Sequence, residues 1–246
     1  MLAFHYRPNH EVVEPYAPPT WADGTDEEIA EAVAKADAGE INLSDYWAVG
    51  DTRSVDIASF SGNNTATHAA QTVEVVLMQE GLYQTINDKT VNFICGLKNA
   101  LNDYEYMNTS SGTGTWNWTP LRTLCNGNFY NALPQSLKTI IKTAKVKVAY
   151  AVSNDNIFLP GEREVTGSYN SSRDAEGREL SQFTYYITAE HKFKRLGNST
   201  ANLVSWWLRT TSTNSDTTYF CCITGSGGIY TTYEYTGLGL VPHFCI

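Results

Sequence analysis

Residues 206–246 read WWLRTTSTNSDTTYFCCITGSGGIYTTYEYTGLGLVPHFCI, an apolar frame at both ends around a segment made of Thr, Ser, Tyr and Gly. Between Thr210 and Thr236 stand nine Thr, four Tyr, three Ser and three Gly, with Asp216 and Glu234 as the sole charges. An ordinary solvated loop carries more Lys and Glu. The composition supports two readings. One is a binding surface of the paratope type, in which Tyr gives rigid amphipathic contact area and Ser, Thr and Gly give adaptable hydrogen bonding and tight turns. The other is a Thr-rich β-meander, because Thr and Tyr also favour strands. The placement between Trp206-Trp207 and Val241–Ile246, two apolar strands able to hold the segment rigid, favours the binding surface.

Working outward, the chain of 246 residues is 42% apolar, enough for an ordinary buried core. Seventeen basic against 26 acidic residues leave a net charge of -9, which repels phosphate backbones and anionic membranes. No basic, aromatic-interleaved stripe is present, so nucleic acid is not an expected partner. No apolar run approaches a membrane span, and the N-terminus lacks the pattern of a secretory signal. The five cysteines, Cys95, Cys125, Cys221, Cys222 and Cys245, show no metal-ligand spacing and read as buried small hydrophobes.

Residues 1 to about 24 hold four of the eight prolines and form an extended arm. The following TDEEIAEAVAKADAGEI predicts a helix, with Thr25 and Glu28 at capping-box spacing and Gly39 at the stop. Its stripe of alanines with Ile29 and Val33 suits light packing on a partner surface, so residues 1–44 are expected to serve assembly or attachment. Segments around Val55 and Ile57 and QTVEVVLMQEG predict paired strands, with His68 between them as a structural hydrogen-bonding residue. KTVNFICGLKNALNDYEYMN, with Val91, Ile94, Cys95, Leu97 and Leu101, fits a helix. LRTLCNGNFYNALPQSLKTIIKTA fits a second helical region, with Pro134 in a first turn and Leu137, Ile140 and Ile141 buried. KVKVAYAV reads as a strand and DNIFLPGEREVTGS as a strand-loop unit. Residues 168–182 read as a polar surface excursion, and a short helix is expected near Thr188–Arg195.

The ordered series DYWAVGDTRSV, GLKNAL followed by YMN, LRTLCNGNFYNALP, FLPGEREVTGS, LSQFTYY, WWLRT, FC and the closing VPHFCI resembles an uncharacterised domain family of Gram-positive bacteria and their phages or prophages, from about Asp45 to Ile246. Its C-terminal arrangement is similar to C-type-lectin-like variable proteins, which phages diversify through error-prone retroelements. The resemblance implies an α+β, C-type-lectin-like domain over 45–246, with Trp206 and Trp207 anchoring a scaffold and Arg209 bonding beneath it. Members of the family often carry Ser-Pro after the arginine, where this chain has Thr210 and Thr211, so the local turn is left open.

No enzymatic constellation emerges. Glu162 and Glu164 share a face of an expected strand and read as a solvated or salt-bridged edge. His191 and His243 have no ligand partners nearby in sequence. Cys221 and Cys222, adjacent on a strand, point to opposite faces and cannot act together on one substrate, which sets aside a formylglycine-generating activity. GSGG at 225–228 reads as a hairpin turn. Asn214, Asp216 and Glu234 are too few for calcium, and no metal or cofactor is expected. The first functional reading is therefore a virion-associated protein, made in the bacterial cytoplasm, that binds a host-surface protein or glycan. The expected ligand-binding residues are Thr211, Thr213, Asn214, Asp216, Thr218, Tyr219, Tyr230, Tyr233 and Tyr235. The alternative is a structural virion protein whose arm binds neighbouring subunits.

Overall fold

The computed structural model describes residues 16–63, 67–110, 114–149, 151–168, 170, 180–197, 199–200, 202–212 and 219–246. The first regular element is helix α1 (Asp26–Asp37). The Thr25 hydroxyl accepts the Glu28 N–H while the Glu28 carboxylate accepts the Thr25 N–H, and Gly39 takes φ 75° just beyond the helix end. The expected helix is therefore present. Its partner is this chain itself, because Ile29, Ala32 and Val33 are buried in the same core as residues beyond 45, and α1 packs on the later helix α4 (Gln135–Ile140).

Strands β1 (Thr52–Ile57) and β4 (Gln71–Glu80) pair antiparallel, as the sequence predicts, with the small β2 (Phe60–Ser61) and β3 (Thr67–His68) hairpin between them. The expected helix over 89–108 is replaced by β5 (Phe93–Leu97) and β6 (Tyr104–Glu105). All five residues of β5 are buried, because the strand lies between β4 and the final strand β13 (His243–Cys245). A strand covered on both faces shows a continuous apolar run, and its periodicity does not separate it from a helix. The close approach of the His243 ring, 2.6 Å from where a Cβ of residue 96 would stand, explains Gly96.

The predicted helical region is α2 (Pro120–Leu124), a π-helical turn Cys125–Phe129, α3 (Tyr130–Ala132) and α4. Leu137 and Ile140 are buried, Ile141 is half-buried, and Pro134 sits at the N-cap of α4. A hairpin of β7 (Ala144–Val148) and β8 (Ala151–Asp155) follows. Glu162 and Glu164, expected on a strand edge, lie instead on helix α5 (Glu162–Thr166), and both are buried. Short 3-10 turns Thr184–Ile187 and Ala189–Lys192 stand where a helix near 188–195 is expected. Most of the polar excursion at 168–182 lies outside the described residues.

The last strands are β9 (Trp206–Thr211), β10 (Tyr219–Ile223), β11 (Ile229–Tyr233), β12 (Leu238–Gly239) and β13. Among the described residues two larger sheets result, β1-β4-β5-β13 and β11-β10-β9-β12-β6. β12 and β9 run parallel, with Gly239 beside Trp206, and every other pair of named strands runs antiparallel. The fold is thus a mixed α+β one, mostly antiparallel, with a few helices. One set of buried side chains runs from Trp21 to Ile246 and joins both sheets and the helices. Among the described residues no helix is long and apolar enough to cross a membrane.

Candidate binding face

β9 forms the floor of the face. All six of its residues are buried, and each long side chain is tied down at its polar end. The Trp206 indole donates to Lys192 O at 3.0 Å, and the Trp207 indole to Glu105 O at 2.8 Å. Arg209 donates to Lys147 O, Leu159 O and the Glu164 carboxylate at 3.0, 2.7 and 2.7 Å. Such bonds satisfy polar atoms that burial would otherwise leave without water.

β10 pairs with β9 in the same sheet and forms a hairpin with β11, joined by Thr224–Gly228. Thr224 N donates to Gly228 O at 2.7 Å and Gly227 N to Thr224 O at 2.8 Å, so GSGG is the expected turn. Gly227 has φ 82°, and a Cβ there would meet the Phe193 ring at 2.5 Å. Only glycine suits both demands. At the other end of β10, Ser212 N donates to Tyr219 O at 3.0 Å, so the chain leaves and rejoins the sheet at adjacent points. Thr213, Asn214, Asp216 and Thr218 fall between them and lie outside the described residues.

Three of the expected binding residues come together. Tyr219 and Tyr233 are cross-strand partners with ring centroids 4.5 Å apart, and Tyr235 stacks on Tyr233 at 5.2 Å and 19°. Tyr233 and Tyr235 are 44% and 47% exposed. The turn that carries them is pinned by Thr236 N to Tyr233 O at 2.9 Å and by Asn108 N to Glu234 O at 2.9 Å. The row is a fixed aromatic surface with a hydroxyl at each ring edge, suited to stacking and directional hydrogen bonding.

Two expected members do not join it. Tyr230 is 61% exposed but pairs with Cys222, one position out of phase with the Tyr219–Tyr233 pair, so it projects from the opposite face of the hairpin. Thr211 pairs with Phe220 and is buried. Glu234 is likewise buried, with Asn108 Nδ2 3.4 Å from its carboxylate. Among the described residues no group of three or more His, Cys, Asp or Glu is placed to hold a metal ion.

The remaining singled-out residues are part of the interior. His68 Nε2 is 2.7 Å from Glu105 Oε1 and Nδ1 is 3.1 Å from Asn102 Oδ1, the structural bonding expected of it. His243 lies 3.1 Å from the Tyr186 hydroxyl, and burial pushes its pKa down to about 3. The five cysteines are buried thiols, none joined in a disulfide. Burial raises the thiol pKa of Cys95, Cys125 and Cys245, which keeps them protonated and inert. Among the described residues three exposed aromatic residues escaped the composition argument, Trp118 at 77%, Tyr46 at 44% and Tyr104 at 39%. Their signal is local: each stands beside Asn, Asp or Thr, in WNWT, SDYW and NDYEY.

Fold and site define an α+β domain that presents a stacked tyrosine row from a rigid hairpin. The chain belongs to the DUF6273 family, a domain of unknown function, which matches residues 75–246. The match begins inside β4, so α1 and β1 share the core of the family domain while preceding the matched residues. No curated protein and no solved structure matches the chain.

Proposed function

We propose that this chain is a phage or prophage virion-associated protein of C-type-lectin-like fold that binds a host-surface protein or glycan through its C-terminal tyrosine face. The observation that carries this reading is the stacked Tyr219, Tyr233 and Tyr235 row, with Tyr233 and Tyr235 exposed and Tyr219 half-buried, on a hairpin next to a strand whose every side chain is buried. Rigid aromatic groups lose little entropy on binding, and a floor fixed by Trp206, Trp207 and Arg209 holds them in place before the partner arrives. Retroelement diversification of residues 213–218 would leave Trp206, Trp207 and Arg209 unchanged.

The test is binding of the labelled full chain to whole Gram-positive cells and to their isolated walls. Tyr233→Ala with Tyr235→Ala should abolish binding and leave the thermal midpoint nearly unchanged. A midpoint falling with the binding would instead make these rings structural. A neighbouring reverse-transcriptase gene beside a near-copy of the C-terminal coding stretch would support diversification. The alternative, a structural virion protein assembled through residues 1–44, has less to draw on, since the apolar side of α1 is already covered within the chain.

A further inference from the structure

We infer that a groove beside Tyr104 is a second binding site, and that it takes a neutral oligosaccharide. The groove has a volume of about 380 Å³, and Tyr104, Ser199, Asn202, Leu203, Ser205 and Gly237 contribute to its walls. It lies apart from the tyrosine row. Tyr104 pairs with Gly239, which pairs with Trp206 at the start of β9, whereas Tyr219 meets the chain just past Thr211 at the end of that strand. At a rise of about 3.3 Å per residue the two places, Trp206 and Ser212, are roughly 20 Å apart along the sheet.

The lining chemistry selects the ligand class. Among the described lining residues none is charged; they offer hydroxyl, amide and apolar surface together with one aromatic ring. An anionic or cationic solute would lose its hydration there without gaining a counter-charge. A neutral sugar fits both kinds of surface, its C–H face packing on the ring while its hydroxyls exchange hydrogen bonds with Ser and Asn. The volume falls near the lower end for small-molecule sites, room on the order of two sugar rings.

The geometry is preformed. Tyr104 is held at a sheet edge by strand register, with its side chain 39% exposed. Gly239 N donates to Ser205 O at 2.9 Å, which fixes one wall to β12. Gly225 of the hairpin turn abuts Leu203, where a Cβ would come within 2.9 Å of the Leu203 carbonyl oxygen. Gly237 leaves open the space beside Tyr104, since even a Cβ there would touch the Tyr104 Cβ at 3.5 Å.

Saturation-transfer NMR on the full chain with tetra-N-acetylchitotetraose, maltotetraose and cellotetraose tests the assignment. Transfer to at least one tetrasaccharide is expected. Tyr104→Ala should weaken that binding at least tenfold, Tyr104→Phe should retain most of it, and Tyr233→Ala should leave it unchanged. Asn202→Ala, a change of one exposed side chain, carries the same expectation of weaker binding should Tyr104→Ala fail to fold. No transfer to any of the three sugars, or unaltered affinity in the folded groove variants, overturns the proposal. The Tyr233→Ala arm separates this outcome from failure of the tyrosine-row reading.

Discussion

The Arg209 guanidinium donates to the Glu164 carboxylate at 2.7 Å, and neither side chain is exposed to solvent. The pair ties β9 to α5, and Glu164 also accepts from Gly161 N at 2.7 Å and from the Tyr83 hydroxyl. Arg209→Ala leaves that carboxylate buried without its counter-charge, at a cost of about 3–5 kcal/mol. Glu164→Leu combined with Arg209→Met should cost much less than Arg209→Ala alone, because both charges then leave together. Urea unfolding measures each. A loss for Arg209→Ala no larger than that of the exposed Lys89→Ala would refute the tie.

Lys194 makes stability depend on pH in the alkaline direction. Its ammonium group is fully buried, bonds Lys98 O at 2.8 Å and lies over the Tyr185, Tyr186 and Trp206 rings. Burial, with a smaller contribution from the Lys98 charge, lowers its pKa from 10.5 to about 7. Between those values the unfolded chain binds more protons than the folded one, so this residue makes stability rise with pH. The window closes near pH 9, where the buried thiols of Cys95 and Cys125 begin to oppose it, since they ionise in the unfolded chain and stay protonated in the fold. Two pH units correspond to about 3 kcal/mol. Lys194→Met should remove the rise between pH 7 and 9, and an identical pH profile in that variant would exclude Lys194 as its source.

His243 acts on the acid side. Burial is the main cause of a pKa lowered from 6.5 to about 3, with the Lys194 and Arg209 charges adding to it and the bond to Val241 O opposing it. The fold keeps the ring neutral, so the unfolded chain binds the extra proton and stability falls as pH drops below about 6.5. Carboxylates held low by hydrogen bonds, such as Asp26, add their own losses nearer pH 4. Between pH 6.5 and 4.5 the histidine accounts for about 3 kcal/mol. His243→Gln should flatten that interval in guanidinium unfolding measured at fixed pH; an unchanged slope there contradicts the assignment.

The sequence speaks clearly where the deciding chemistry is local. Thr25 and Glu28 stand three residues apart and form the box their spacing announces, and GSGG makes the turn its glycines permit. Glu164 reads in the sequence as a solvated or salt-bridged strand edge and not as a buried helical residue, because its partners Arg209 and Tyr83 are 45 and 81 residues away. β5 was unreadable by period, since both of its faces are covered. Tyr230 is a different case. Its spacing of three from Tyr233 places the two on opposite faces of any regular strand, so the sequence itself separates Tyr230 from the Tyr233 surface. The groove at Tyr104 joins three segments distant along the chain, and no local pattern announces it.

The N-terminal segment decides whether residues 1–40 can be removed as an appendage. Trp21 lies 5.3 Å from Trp47 between ring centroids and donates toward Val75 O at 3.4 Å, while the Trp47 indole donates to Pro19 O at 2.8 Å. Arg53 of β1 bonds back to Gly24 O and Asp26, and Ile29 and Val33 are buried beneath α1. Burial of each large apolar side chain contributes about 1.5–3 kcal/mol, and deletion would lose Trp21, Ile29 and Val33 together. That sum approaches the whole stability of an ordinary domain, about 5–15 kcal/mol. A chain beginning at residue 41 should therefore aggregate or unfold without a cooperative transition, as read by circular dichroism and light scattering. Were residues 1–40 only an assembly arm, the truncated chain would keep its thermal midpoint and change only its mass; that result would detach α1 from the fold and revive the structural-virion reading.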